Sequence, residues 1–227
     1  MTVVDAFPFF NELDVFRART RLLRGVVTLH LASEGTHTHQ GEPKRMYLDE
    51  LEPLGENVQR IRGDLSGEGS TEVDNWVRES AQRDYLQQHL RDLLDSGALT
   101  PDTLVISSDA DELVAPRVIP QLRRVTVRGP AIVAMRMIYY GSWECPSGWH
   151  HAKAFRLGDL PDSLSELRRR FDLQVVPDGG WHVSYRGDEK QLRTKVESFA
   201  HAENREEETW ERIRTGAETG QGPNGQQ

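Results

Sequence analysis

The sequence contains a single cysteine, Cys145, and no long run of apolar residues. One thiol cannot form an intramolecular disulfide, so nothing in the sequence indicates an oxidising compartment. The chain has no stretch of about twenty apolar residues, which a membrane-spanning helix needs, and its N-terminus has no basic segment typical of a signal peptide. These absences predict a cytoplasmic protein without a membrane anchor.

Positive charge is also scarce, because 36 Asp and Glu residues outnumber 28 Lys and Arg residues and give a net charge of −8. Sequence-independent binding to nucleic acid needs a basic surface, so this balance argues against that class of protein. Hydrophobic residues make up 37% of the 227 residues, enough for a domain with a substantial core.

Apolar runs alternate with helical patterns, which favours an α/β fold. Strands are predicted at Thr2–Ala6, Val26–Ala32, Leu104–Ser107, Ile132–Met137 and Gln174–Val176. Helices are predicted from Glu72 to Ser96, from Leu164 to Phe171, and once or twice within Lys190–Arg214. The Gly- and Gln-rich end can bury almost nothing, so a domain over residues 1–214 and a disordered tail over residues 215–227 are predicted.

Two aspartates follow the apolar strand Leu104–Ser107. Residues two apart in an extended segment project to the same side, so Asp109 and Asp111 can address one hard cation. Open α/β sheets bind ligands at this end of a strand, and a cation there would bridge the phosphates of a nucleotide-sugar. A chain this rich in aspartate contains about one Asp-x-Asp by chance, so a solvated turn is the alternative interpretation.

A second polar segment runs from Gly180 to Tyr185 and contains Trp181 and His182. Its glycines indicate a close approach between backbones. A histidine can complete an oxygen-rich metal site, and mixed oxygen and nitrogen ligands favour Mn²⁺ over Mg²⁺. The alternative is a core turn in which Trp181 fills the interior and His182 makes a structural hydrogen bond.

Two further clusters have simpler interpretations. His37 and His39 lie in a loop with no third ligand nearby, so no zinc site is predicted. The basic run 168–170 is interpreted as a solvated helix face, with contact to an anionic acceptor as the alternative.

Five segments, taken in order, carry a family resemblance. They are Asp5–Asp14 with Arg19, Glu34–Lys44, Trp76–Arg83, Ser108–Glu112 and Gly180–His201. The set resembles glycosyltransferase family 17, which includes the β-1,4-N-acetylglucosaminyltransferase that adds the bisecting sugar to N-glycans. The resemblance covers most of residues 1–203, whereas residues 117–172, a region that often shapes the acceptor site, carry little of it.

The resemblance implies a GT-A-type, Rossmann-like single domain with a central mixed, mostly parallel sheet flanked by helices. It implies inverting transfer of a sugar, with N-acetylglucosamine one candidate, from a UDP-linked donor to an acceptor hydroxyl. The acceptor classes considered are a glycan, a natural product and a hydroxylated DNA base, the last disfavoured by the acidic charge. A metal-dependent nucleotide-sugar phosphohydrolase and a non-catalytic nucleotide-sugar- or glycan-binding module are the alternatives.

The resemblance also implies roles for individual residues. The predicted cofactor is Mn²⁺ or Mg²⁺, held by Asp109, Asp111 and His182. The predicted donor-binding residues are Asp5, Ala6, Phe7, Glu34, Arg83, Asp109, Trp181 and Lys195. Inversion in one displacement needs a general base, for which Glu189 is the first candidate because it follows the Gly-Trp-His segment, and Glu144 the second.

Overall fold

The computed structural model describes residues 2–51, 55, 57–67, 72–198 and 207–220. Its strands are β1 (Val3–Phe9), β2 (Leu29–Gly35), β3 (Val58–Gly63), β4 (Leu104–Ser107), β5 (Glu112–Val114), β6 (Ala131–Val133), β7 (Met135–Tyr139), β8 (Trp143–Trp149), β9 (Lys153–Arg156), β10 (Gln174–Val176) and β11 (Gly180–Ser184). Its α-helices are α1 (Leu13–Leu22), α2 (Glu72–Asp95), α3 (Ile119–Val125), α4 (Leu164–Arg168), α5 (Glu189–Ser198) and α6 (Glu207–Thr219).

Seven of the described strands form a central sheet in the order β10-β6-β9-β4-β1-β2-β3. Strands β4, β1, β2 and β3 run parallel, as do β10 and β6, whereas β9 is antiparallel to both of its neighbours. The carboxyl ends of β4, β1 and β2 therefore meet at one edge of the sheet. This mixed, mostly parallel sheet with helices packed on it confirms the predicted α/β class.

Both faces of the central sheet are buried. Val3 and Val4 are consecutive in β1, yet each is fully buried, because neighbouring strand residues point to opposite faces. Val3 belongs to a core cluster that includes Leu122 of α3, and Val4 to one that includes Leu86 of α2. A strand covered on both faces needs the continuous apolar run that the sequence has here.

A second sheet, in the order β5-β11-β7-β8 among the described strands, has no counterpart in the sequence-based prediction. The single strand predicted from Ile132 to Met137 is divided between β6 and β7, which belong to different sheets. At the division the Ala134 N–H donates to Val176 O at 2.9 Å, and the Ala134 carbonyl accepts from Gly179 N at 2.7 Å. Apolar residues continue across the division, so periodicity does not mark it.

Local backbone contacts explain where two of the elements begin or end. The second strand begins later than predicted, because the N–H groups of Val26 and Val27 donate to Leu23 O and close the end of α1. Helix α2 has the predicted extent, and Gly97 after it adopts φ +72°, the left-handed conformation that commonly ends a helix. None of the helices in the described ranges, α2 included, combines the length and apolar content that crossing a membrane requires.

The C-terminal helices pack on each other. Trp210 and Ile213 of α6 are buried against Leu192 and Val196 of α5. Because α6 continues to Thr219, the predicted disorder is wrong for residues 215–219, and the predicted domain end falls inside a helix. Residues 221–227 of the predicted tail lie outside the described residues.

Truncation after Arg214 is expected to lower the melting temperature by about 2–4 °C, equivalent to about 1 kcal/mol for a chain of this size. The reason is that the last turn of α6 packs Gly216 and Ala217 next to Tyr140. Thermal unfolding followed by circular dichroism measures the change. The control ends after Gly220 and removes only residues without a large apolar side chain. Equal melting temperatures for the two truncations would show that this turn contributes nothing.

Candidate active site

A cleft of about 540 Å³ opens at the carboxyl ends of β1 and β4. This is the edge at which open α/β sheets bind ligands. Five residues predicted from the sequence line the cleft: Arg83, Asp109, Asp111, His182 and Lys195. The structure therefore brings together both aspartates of the Asp-x-Asp segment, the histidine of the Gly-Trp-His segment and two cationic side chains.

The turn that carries the two aspartates is held by Arg19 of α1, whose side chain is fully buried. Its Nε and Nη2 donate to the two carboxylate oxygens of Asp5 at 2.8 and 2.5 Å. Its Nη1 donates to the carbonyl oxygens of Asp109 and Glu112, both at 2.8 Å. One guanidinium thus ties the turn after β4 to the middle of β1.

Asp5 is the buried carboxylate partner of Arg19. Burial alone would raise the pKa of Asp5, but Arg19 and His30 outweigh it and hold that pKa well below its usual range. Asp5, Ala6 and Phe7 are all fully buried and do not line the cleft, so the structure does not support their predicted contacts with a donor. The cleft is lined by the next residues of the chain, Pro8, Phe9 and Phe10.

Glu34 also has a structural role. Its carboxylate accepts hydrogen bonds from Lys44 Nζ at 2.6 Å, Tyr47 N at 2.7 Å and Leu48 N at 2.9 Å. These contacts fasten the segment after β2 and bury Glu34, which does not line the cleft. Its predicted contact with a nucleoside is therefore not supported, because its oxygens already hold this segment.

Asp109 lies between two arginines. Its Oδ1 accepts from Arg83 Nη2 at 2.7 Å, and its Oδ2 accepts from Arg168. Burial would raise the pKa of Asp109, but Arg168 and Arg83 outweigh it and keep that pKa far below its usual range. Arg168 also donates to Glu112 at 2.9 Å. The interpretation of the basic run as a solvated face is therefore wrong for Arg168.

Asp111 has different partners. Its Oδ2 accepts from Lys195 Nζ at 2.8 Å, and its Oδ1 lies 3.2 Å from His182 Nε2. Burial would raise the pKa of Asp111, but Lys195 and His182 outweigh it and hold that pKa well below its usual range. The two aspartates therefore share one cleft but hold separate sets of cationic partners.

Strand β11 delivers His182 to this position. Gly180 has φ +143°, and a Cβ there would lie 2.0 Å from Leu113 O, so only glycine allows β11 to approach β5 this closely. The resulting antiparallel register sets His182 opposite Glu112, at the end of the Asp-x-Asp turn. The close backbone approach predicted from the glycines is confirmed.

Three other predicted site residues lie away from the cleft. Strand alternation turns Trp181 to the face opposite His182, where Arg117 lies over its ring at 5.6 Å. Glu189 is exposed at the start of α5, and Glu144 is exposed on β8, where Arg136 Nε donates to it at 2.7 Å. The structure thus separates both predicted general bases from the candidate site.

Asp111 and His182 form an ion pair in this structure. Burial alone would lower the pKa of His182, but Asp111 outweighs it and raises that pKa. The spacing of the two facing atoms can be compared with that of cation ligands. Adjacent ligands of an octahedral cation with bonds of about 2.1 Å lie about 3 Å apart, close to the 3.2 Å between these donor atoms. The described residues contain no group of three or more His, Cys, Asp or Glu side chains arranged to hold a metal. One carboxylate and one imidazole suit Mn²⁺ better than Mg²⁺, and substrate phosphates and water would have to complete the shell.

Two acidic residues in or beside the cleft received no role from the sequence. Glu12 lines it just before α1, and its Oε2 accepts from the N–H groups of Phe10 at 3.3 Å and Asn11 at 3.1 Å. Burial raises the pKa of Glu12, and Lys195 offsets only part of that rise. Glu112 is fully buried and accepts from Trp149 Nε1 at 2.5 Å. In the sequence, Glu12 and Glu112 are marked only by lying in two of the segments that resemble the family, Asp5–Asp14 and Ser108–Glu112.

This is a protein of the open α/β class, and the ligand-binding edge of its sheet gathers carboxylates, arginines and a lysine, a set that suits an anionic ligand. The sequence matches glycosyltransferase family 17 over residues 1–219, and the chain belongs to that family. The predicted family is confirmed. Membership supports a transferase and implies a nucleotide-sugar donor and an acceptor.

Two solved structures are similar in outline. A 4-diphosphocytidyl-2C-methyl-D-erythritol synthase is 11% identical, with a TM-score of 0.47, over 78% of this chain and 89% of that one. A putative nucleotide-diphospho-sugar transferase from Desulfovibrio desulfuricans G20 is 12% identical, with a TM-score of 0.39, over 95% of this chain and 98% of that one. Neither TM-score reaches 0.5, so nothing about activity follows from them. Among curated proteins, none matches the sequence.

Proposed function

We propose that this family member transfers a sugar, N-acetylglucosamine or a related hexose, from a UDP-linked donor to an acceptor hydroxyl with inversion. The supporting observation is the gathering of Arg83, Arg168 and Lys195 around Asp109 and Asp111 in one cleft. Cationic side chains in a partly buried cleft bind a diphosphate strongly, because charge-assisted hydrogen bonds are less screened there.

Each cationic group has a task in donor binding. A guanidinium carries five N–H donors in a planar fork, so Arg83 and Arg168 can hold phosphate oxygens while they keep Asp109 in place. Asp111 and His182 would hold Mn²⁺ or Mg²⁺. When bound, such a cation neutralises charge that develops on the departing diphosphate. Phe10 at the end of β1 and Trp76 of α2 also line the cleft, and they provide apolar surface for the nucleoside.

The proposed general base is Glu12. It lines the same cleft as Asp111 and Lys195, unlike Glu189 and Glu144. Its carboxylate takes the proton of the acceptor hydroxyl while the acceptor oxygen bonds to the anomeric carbon of the sugar. The bond from that carbon to the diphosphate oxygen breaks, and UDP leaves with the electron pair. A carboxylate whose pKa is raised by burial is a stronger base than an exposed one.

Glu12→Gln is expected to lower kcat by about 10²- to 10⁴-fold, the usual contribution of a positioned base. The glutamine oxygen can still accept from the backbone N–H groups of Phe10 and Asn11, so the fold and the affinity for UDP should remain. Initial rates and calorimetry with UDP measure the two quantities. The control is Glu189→Gln, which changes an exposed residue and should leave kcat unaltered. Loss of turnover in the control but not in Glu12→Gln would reverse the assignment.

The proposed function is tested by thermal stabilisation with UDP-, GDP-, CDP- and TDP-sugars, each with and without Mn²⁺. A ligand at 100 times its Kd stabilises the fold by about 2.7 kcal/mol, so the preferred donor should stand out. Product analysis then separates the activities. A glycoside of opposite anomeric configuration that forms only with acceptor supports the transferase. Sugar phosphate and nucleoside monophosphate that form without acceptor indicate a phosphohydrolase. Binding without turnover indicates a binding module, and preference for another nucleotide excludes UDP as the donor nucleotide.

A further inference from the structure

A second groove, of about 500 Å³, adjoins the donor cleft. The two share the side chains of Met137, Tyr139, Trp149 and His151 as a common wall. The groove continues from that wall towards Phe171, between the second sheet and the segment that leads into β10. The groove and the cleft are therefore neighbours, separated only by these four side chains.

A line of rings connects the two spaces. The ring of His182, beside Asp111, lies 4.3 Å from that of Trp149, which lies 4.4 Å from that of His151. The His151 ring meets the edge of Phe171 at 5.1 Å. These contacts hold the rings against one another, and Trp149, His151 and Phe171 also line the groove. Aromatic faces bind flat apolar surfaces by stacking.

The groove offers apolar surface and little charge. None of the residues that line it within the described ranges is Asp, Glu, Lys or Arg. Burial and the nearby Arg168 lower the pKa of His151 to about 4, so this imidazole is neutral at pH 7. Phe171 is 56% exposed and Val175 is 47% exposed, so both side chains present apolar surface that a ligand in the groove can contact. Ser147 supplies a hydroxyl for a hydrogen bond.

The basic run predicted as an alternative anion site does not serve this groove. Arg168 is held by Asp109 and Glu112, and Arg170 donates to Asp172 at 2.7 Å. Neither arginine lines the groove.

Lys153 Nζ lies 5.4 Å from the centre of the Phe171 ring, but its three N–H donors are used by the carbonyl oxygens of His150, His151 and Arg168. An anionic acceptor would therefore lose its hydration here without gaining a direct hydrogen bond from a cation, which is unfavourable.

We propose that this groove is the acceptor site and that it selects an uncharged acceptor with an apolar ring face. The inference rests on the proposed transferase function, for which the groove supplies the second substrate. The ring face has two sources, the C–H face of a neutral sugar or an aromatic ring, and the experiment distinguishes them. The acceptor hydroxyl would enter the cleft past Trp149, towards Glu12.

Binding of three probes tests the proposal: methyl β-glucoside, phenyl β-glucoside and phenyl β-glucuronide, each measured by ligand-observed NMR with UDP and Mn²⁺ present. The neutral glucosides are expected to bind, and the glucuronide at least about ten-fold more weakly than the phenyl glucoside. Equal binding of the two glucosides identifies the sugar face as the recognised surface. A clear preference for phenyl glucoside identifies the aromatic ring.

Variants locate the binding site. Phe171→Ala should weaken the binding of the neutral probes by about ten-fold, because it removes a stacking contact. Val175→Ala should weaken it by about three-fold, because it removes a smaller apolar contact. Val127→Ala is the matched control, because Val127 is a 68% exposed valine elsewhere on the surface and should not affect binding. The melting temperature should change little in any variant, since each of these side chains is about half exposed or more.

Two results would overturn the acceptor proposal: tighter binding of the glucuronide than of the phenyl glucoside, or no probe whose binding depends on Phe171 or Val175. The affinity for UDP with Mn²⁺ is measured on the same samples. Failure of the wild-type protein to bind any nucleotide counts against the proposed transferase. Normal UDP binding without a groove-dependent probe counts against the acceptor site alone.

Discussion

Replacement of Arg19 by methionine is expected to lower the free energy of unfolding by about 3–5 kcal/mol, the usual cost of removing one partner of a buried ion pair. Asp5 would stay fully buried without its main counterion. The carbonyl oxygens of Asp109 and Glu112 would also lose their shared donor, so the turn that carries the two aspartates would shift. Urea denaturation of the variant measures the change in stability.

The stability that is lost when Arg19 is replaced should depend on pH. Because the pKa of Asp5 is lowered in the folded protein, the stability from its ion pair is present above the unfolded pKa, near 4, and is lost as the pH falls towards the folded pKa. The difference in unfolding free energy between wild type and Arg19→Met should therefore be largest above about pH 4 and should become smaller below it.

Two further variants of the anchor sharpen this prediction. Arg19→Lys should rescue little, because one ammonium cannot contact Asp5 and the carbonyl oxygens of the turn at the same time. Arg17→Met is the control on the same helix, where an exposed pair with Asp14 should contribute less than about 1 kcal/mol. A stability loss as large in Arg17→Met as in Arg19→Met would contradict the assignment of Arg19 as the anchor.

Asp111→Asn is expected to reduce turnover by about three orders of magnitude, since charge stabilisation by a catalytic cation contributes several kcal/mol. The amide would remove the charge of a carboxylate that is paired with Lys195 and His182 and that is proposed above to hold the cation. Steady-state rates measure the activity, and calorimetry of Mn²⁺ with UDP present measures the lost cation affinity.

Companion variants separate the roles around this carboxylate. His182→Ala should weaken Mn²⁺ binding with a near-normal melting temperature, whereas a purely structural histidine would show the reverse. Asp109→Asn should weaken UDP binding more than Mn²⁺ binding, because Asp109 positions Arg83 and Arg168. The control is Asp172→Asn, an exposed partner of Arg170, which should retain full activity. Full turnover of Asp111→Asn, or of the wild type in chelator, would exclude the proposed cation site.

The sequence alone determined the family, the α/β class and the segment at which the cleft is built. These conclusions depend on local patterns. Leu104–Ser107 is a short apolar run that ends in acidic residues, and it forms β4 as predicted. Ser163 before α4 accepts a hydrogen bond from Glu166 N at 3.2 Å, as a helix-capping residue does. Spacing along the chain carries this information, so no distant contact is needed.

Tertiary structure decided which charged residues are anchors and which line the cleft. Asp5 and Glu34 belong to segments that resemble the family, yet both are buried in structural hydrogen bonds. Arg168 looked like surface, but it reaches Asp109 across 59 positions of the chain. Lys195 and Asp111 are 84 positions apart. Contacts between distant segments determine whether a charged side chain is buried and which partner it has. Those two properties decide whether a carboxylate or guanidinium stabilises the fold or faces a substrate.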